Sequence, residues 1–235
     1  AADQPEAARP PVLTPPEADS GRSQSADSPA VADPEWREFR AQALGLPLAG
    51  RKLAMQRLMT RWGIVFSERD LRDPCEVAEM DLAACLVRRA GWTRLLEFNR
   101  PALLRLDGGR NQALYALLIG FRGDAALIDL GDREQLLPLE QLDRYWSGDF
   151  ILLWRIPPGG ERLVNERASS RSRKWLAEQL APLVGGARDA DLGALVRRFQ
   201  QQQGLQVDGV AGPETMIRLN ALSDRPGIPQ LRRGG

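Results

Sequence analysis

The sequence predicts an α+β domain built on an antiparallel sheet, followed by a small bundle of three helices. Between Ala102 and Ile156, short apolar runs are joined by tight turns, the pattern of strands that pair with their neighbours in sequence. Ahead of them, Leu53 to Trp62 and Pro74 to Met80 read as helices, which supplies the helical layer of an α+β fold. Beyond residue 168 the apolar spacing changes to the i, i+3, i+4, i+7 rhythm of helix faces.

The chain has 235 residues, enough for one or two domains with real cores. Its first 34 residues are mostly Ala, Pro, Asp, Glu and Ser and cannot bury enough apolar surface to offset ordering. Residues 1–34 therefore read as a flexible tether, residues 35–168 as the α+β domain and residues 169–231 as the helical domain.

Asp73-Pro74 marks a helix start, with Asp as the cap and Pro where no amide donor is lost. Were that helix unbroken through Cys85, its α-carbons at Cys75 and Cys85 would lie about 15 Å apart at ~1.5 Å per residue. A disulfide needs roughly 4.4–6.8 Å. The two cysteines, the only ones in the chain, can bond only if the helix stops early, with Asp81 as the stopping point and Leu82 to Val87 extended. Otherwise they are two buried thiols.

The expected strands are Ala102 to Leu106, Gln112 to Phe121, Ala125 to Leu130 and Gln135 to Leu139. A short helix from Glu140 to Trp146 then precedes Ser147-Gly148 and a last strand, Phe150 to Ile156. In the helical domain, Trp175, Leu176, Leu180 and Leu183 form the first apolar stripe, and Leu192, Leu195, Val196 and Phe199 the second. Gly204 stops the second helix, Asp208-Gly209 makes a tight turn, and Gly212-Pro213 opens the third, with Met216, Leu219 and Leu222 on its stripe.

Composition removes several chemistries. There is no histidine, so no Ser-His or Cys-His couple and no imidazole base near neutral pH. The common zinc sites, which use histidine, are also disfavoured. No catalytic residues, metal or cofactor are expected. The net charge is +1, from 32 basic and 31 acidic residues, which argues against nucleic acid as a partner. No apolar run approaches the ~18 residues that span a bilayer. Trp62, Trp146, Trp154 and Trp175 fall on apolar faces, whereas Trp36 and Trp92 are candidate partner contacts.

The order Phe199-Gln200, Gly204-Leu205, Asp208-Gly209 and Gly212-Pro213-Glu214-Thr215 resembles the signature of the three-helix peptidoglycan-binding domain of bacterial cell-wall proteins. That resemblance implies peptidoglycan as a partner and a ligand loop of Gln200, Gln203, Asp208, Gly209 and Thr215, with Arg218 as a nearby carboxylate contact. The same residues also read structurally, Asp208 and Thr215 bracing the turn and the helix start. The α+β part resembles the papain-like fold of bacteriocin-leader-processing cysteine peptidases in its order of parts. The strand that normally opens with His-x-Val reads Gln112-Ala113-Leu114-Tyr115 here, the later aspartate is Asp129, and Met55 to Trp62 holds no cysteine. The resemblance implies a peptidase shape without peptidase residues.

Both parts in this order resemble the periplasmic portion of the GspA (ExeA) family of type II secretion. The local likenesses are Arg61-Trp62-Gly63, Cys75-Glu76-Val77-Ala78, Asn99-Arg100-Pro101-Ala102-Leu103, Trp146-Ser147-Gly148-Asp149-Phe150 and Pro226-Gly227-Ile228-Pro229-Gln230-Leu231. Asp81-Leu82 stands where the family pattern has Gly-Leu. The family's ATPase domain and membrane helix are not in this chain, so the expectation is a periplasmic part tethered to the inner membrane through an N-terminal segment not present here. The implied role is non-enzymatic: peptidoglycan binding, work with a GspB-like inner-membrane partner, and indirect help to the outer-membrane secretin. A homo-oligomer is compatible with that role. An oxidising periplasm favours the Cys75–Cys85 bond. The alternative is an exported murein or peptide hydrolase targeted by the same module.

Overall fold

A computed structural model describes residues 50–67, 69–107, 113–186, 191–222 and 227–234. The expected tether and Trp36 lie outside the described residues. Helix α1 (Arg51–Arg61) ends where Gly63, at φ 69, lets the Ile64 amide return to the Met59 carbonyl at 3.0 Å. Helix α2 (Pro74–Met80) starts on the Asp73 carboxylate, which accepts from the Cys75 amide at 2.8 Å.

The chain then turns back into β1 (Ala83–Arg89), and the cysteines form a disulfide with α-carbons 5.5 Å apart. The left-handed residue of this turn is Leu82 (φ 53) and not Asp81 (φ −100). Bonds from outside the turn hold it: Arg155 donates to the Asp81 carbonyl at 2.7 Å, and the Ile156 amide donates to the Leu82 carbonyl at 2.8 Å. The missing glycine is thus offset by neighbours on the last strand.

Helix α3 (Trp92–Phe98) was not expected. It starts at Gly91 and ends at Asn99, in the left-handed region at φ 51. There follow β2 (Ala102–Asp107), β3 (Ala113–Arg122), β4 (Ala125–Asp129), β5 (Glu134–Pro138), the single-turn α4 (Leu139–Asp143) and β6 (Trp146–Arg155). The last strand thus starts at Trp146, where the sequence reading still had helix. Ser147-Gly148 does not interrupt it. Gly148, at φ 93, lies against β1, donated to by the Ala90 amide at 3.0 Å, and an added Cβ would stand 2.9 Å from the Ala90 carbonyl oxygen.

The sheet order is β1-β6-β2-β3-β4-β5, antiparallel throughout, which is the α+β architecture expected. A terminal strand, β7 (Arg232–Gly234), pairs in parallel with Gly120 to Arg122 of β3. Strand alternation splits the core in two. Leu103, Leu117, Ile151 and Leu153 face Met55, Leu58, Met59 and Trp62 of α1 and Val77 and Ala78 of α2. Leu104, Leu118, Phe150, Leu152 and Trp154 face the other way, into a cluster with α3 and the helical module. The central strands are therefore covered on both faces, which is why they read as continuous apolar runs.

That module is α5 (Ser170–Val184), α6 (Leu192–Gln202) and α7 (Pro213–Leu222). Leu176, Leu180, Leu195, Val196, Phe199, Met216 and Leu219 are buried as the stripes predicted. Leu183 and Leu222, also placed on the stripes, are exposed because each sits in the last turn of its helix, beyond the packed length.

Candidate functional site

The signature loop between α6 and α7 is organised around one side chain. Gln200 follows Val196 by four residues, so it lies on the buried face of α6, and it is only 2% exposed. Its Nε2 donates to Asp208 Oδ1 at 2.8 Å, to the Val210 carbonyl at 3.0 Å and to Thr215 Oγ1 at 3.3 Å. Its Oε1 accepts from the amides of Asp208 at 3.1 Å and Gly209 at 2.9 Å. Asp208 Oδ1 also accepts from the Val210 amide at 2.9 Å, and Gly209 takes φ 77. Helix α7 then begins on Pro213, with the Met216 amide donating to the Gly212 carbonyl at 2.9 Å.

This bracing shapes a groove of about 250 Å³ beside the start of α7. Gln200, Asp208 and Thr215 line it, together with Gln206, Gly212 and Glu214 of the module. Gly209 is buried beneath the turn. Gln203 and Arg218 are not brought to the groove. Arg218 donates to Gln203 Oε1 at 2.9 Å and to the Glu97 carbonyl of α3 at 2.6 Å, so this pair sits on the seam with the sheet domain.

Sequence reasoning missed two residues on the opposite wall. Arg88 of β1 and Leu163 of the segment before α5 also line the groove. Arg88 Nε donates to Glu214 Oε1 at 3.1 Å, while Arg94 of α3 holds Glu214 Oε2 at 2.5 Å. Val164 and Ala211 exchange backbone hydrogen bonds at 3.0 and 2.9 Å. No local pattern signals these contacts, which join residues far apart in the chain.

In the sheet domain, the described positions that the peptidase resemblance singles out are engaged in contacts of the fold. Asp129 of β4 forms ion pairs with Arg61 at 2.6 Å and Arg57 at 3.8 Å on α1. Burial lowers the Arg57 pKa, and the charges of Asp129 and Asp132 oppose that shift. The carboxylate thus fastens a helix whose inward face is Met55, Leu58, Met59 and Trp62. Gln112 lies outside the described residues, and Tyr115 lines a cleft with Arg51, Arg105 and Asp149. Both cysteines are consumed in the disulfide. Trp92, a candidate partner contact from sequence, is half-buried; its ring lies tilted at 45° against Trp146 with centroids 4.0 Å apart, and it donates to the Asp143 carboxylate. Among the described residues no cluster of metal ligands forms, and no helix is long and apolar enough to cross a membrane.

Residues 45–156 match the family "GspA, peptidase C39-like domain", and residues 176–219 match "Putative peptidoglycan binding domain". The chain is 30% identical over 205 residues to "General secretion pathway protein A" of Aeromonas hydrophila, covering 84% of this chain and 37% of that protein. It is 25% identical over 151 residues to "Putative general secretion pathway protein A" of Escherichia coli K12, covering 62% of this chain and 31% of that protein. The chain therefore spans about a third of the length of these relatives. The crystal structure of a periplasmic domain of the EpsAB fusion protein of the Vibrio vulnificus type II secretion system shares the fold. Its TM-score is 0.53 at 20% identity, over 81% of this chain and 97% of that one.

Proposed function

We propose, from the premise that this chain is the peptidase C39-like and peptidoglycan-binding region of the GspA family, that it is a non-enzymatic wall-binding component of type II secretion. Its place is the periplasm, tethered to the inner membrane through a segment N-terminal to residue 1. There it holds peptidoglycan, works with a GspB-like partner, and helps the secretin pass through and assemble in the wall; self-association is compatible with that work. We place the division between its domains near residue 168.

The observation that carries this reading is the groove beside α7, whose floor is fixed by Gln200 and the buried Thr215 and whose rim presents Asp208. A pre-formed groove with fixed donors and acceptors suits a polymer of amides, hydroxyls and carboxylates, because little ordering entropy is lost on binding. In this reading Gly209 supports the groove from beneath, and Gln203 and Arg218 act through the seam with the sheet domain. The sheet domain contributes rigidity and partner surface, since its aspartate is engaged with arginines and its cysteines with each other.

A sacculus pull-down tests the proposal with the variant Gln206→Trp. Gln206 is exposed and lines the groove, so a bulky ring there fills the space without disturbing Gln200. The wild-type chain should pellet with purified sacculi, and the variant should bind about tenfold more weakly, roughly 1.4 kcal/mol. Equal binding by both would remove the groove from the account.

A further inference from the structure

The groove belongs to both domains. Leu163, left 57% exposed, stands across from Gly212, where an added Cβ would lie 3.3 Å from Leu163 Cδ2. The Val164–Ala211 bridge next to it keeps this wall from moving independently. Arg88 is fixed by its Nε on Glu214, and that carboxylate is held from its other oxygen by Arg94. Among the described residues the two terminal nitrogens of Arg88 make no further hydrogen bond, and its side chain is 53% exposed at the groove. A guanidinium anchored at Nε with an open fork is arranged for a bidentate carboxylate. The lining contains no aromatic ring on which a sugar face would stack, which favours the peptide part of the wall over the glycan.

We propose that Arg88, contributed by the peptidase-like domain, is a specificity-determining residue of the groove and takes a free carboxylate of a murein stem peptide, whose aliphatic part packs on Leu163. This rests on the wall-binding reading. The isolated signature module would then lack one wall of its own site.

The test compares sacculus pelleting with binding of a soluble stem tripeptide and its C-terminally amidated form, using the whole chain. Wild type should prefer the free acid about tenfold, the size of one charge-assisted contact. Arg88→Ala should lose that preference. Arg94→Ala, which loosens the same Glu214 clamp but does not line the groove, should keep it. A preference retained in Arg88→Ala would overturn the inference while leaving wall binding intact. Loss of the preference in Arg94→Ala as well would overturn it too, because the effect would then come from domain docking. Failure of the wild-type chain to pellet with sacculi would instead bring down the wall-binding reading itself.

Discussion

Five hydrogen bonds converge on the amide of Gln200, and they connect the end of α6, the turn at Asp208-Gly209 and the start of α7. Truncation by Gln200→Ala strips the buried Gly209 amide of its acceptor, at about 1–3 kcal/mol, and leaves the Asp208 amide only its bond to the Gln206 carbonyl at 3.2 Å. The expected result is a clear drop in the urea midpoint; an unchanged midpoint would mean that the loop holds itself. Glu161 gives a second residue-scale expectation. The Ser172 hydroxyl first, then the Ser169 amide and hydroxyl, hold its carboxyl at about 2, below the ordinary 4.5. A depressed carboxylate stabilises the fold fully above about 4.5 and loses that contribution as pH falls toward 2. The melting-temperature gap between wild type and Glu161→Gln should therefore narrow as pH falls through that range and be modest throughout, since the group is partly exposed to solvent. A gap that stays constant with pH would contradict this. The signature loop was legible in sequence because glycines, proline and aspartate declare turns. Gln200 as its hub was hidden among four consecutive glutamines, and only its position four residues after Val196 marked it as buried.

Short elements are where the sequence was hardest to read. Helix α3 is seven residues long, so its apolar spacing of Leu95 and Phe98 never repeats enough to announce a helix. Gly148 looked like punctuation because glycine usually ends a run, whereas here it lets β6 lie close to Ala90. The turn from α2 to β1 was legible through the cysteines, since a bonded pair forbids a continuous helix between them. Its left-handed residue was not, because Leu82 is held in that conformation by bonds from Arg155 at the end of β6 and Ile156 just beyond it. The disulfide closes a short loop, ten residues apart in sequence. Replacing both cysteines by serine should cost about 2–4 kcal/mol in chemical denaturation, chiefly by releasing the unfolded chain. An equal stability with and without reductant would show that α2 and β1 are held by packing alone.

At the scale of the molecule, the helical module is docked on one face of the sheet and shares a core with it. Glu214 between Arg88 and Arg94, Arg218 on the Glu97 carbonyl, and β7 on β3 tie the two together. Buried Arg100 adds to this: desolvation lowers its pKa to about 10, so it remains charged at neutral pH while donating to the Pro229 carbonyl of the terminal segment at 3.4 Å. Such long-range ties are invisible to periodicity, which sees each helix and strand but not what it rests on. They make the two parts one packed body, in which the peptidase-like layer supplies a wall of the groove and an anchor for the module. The most direct measurement is co-sedimentation of the whole chain with purified sacculi, with the supernatant analysed by mass spectrometry for soluble muropeptides. The account predicts saturable retention of protein in the pellet and no muropeptides released beyond a protein-free control. Protein left in the supernatant, or muropeptides accumulating with time, would contradict it.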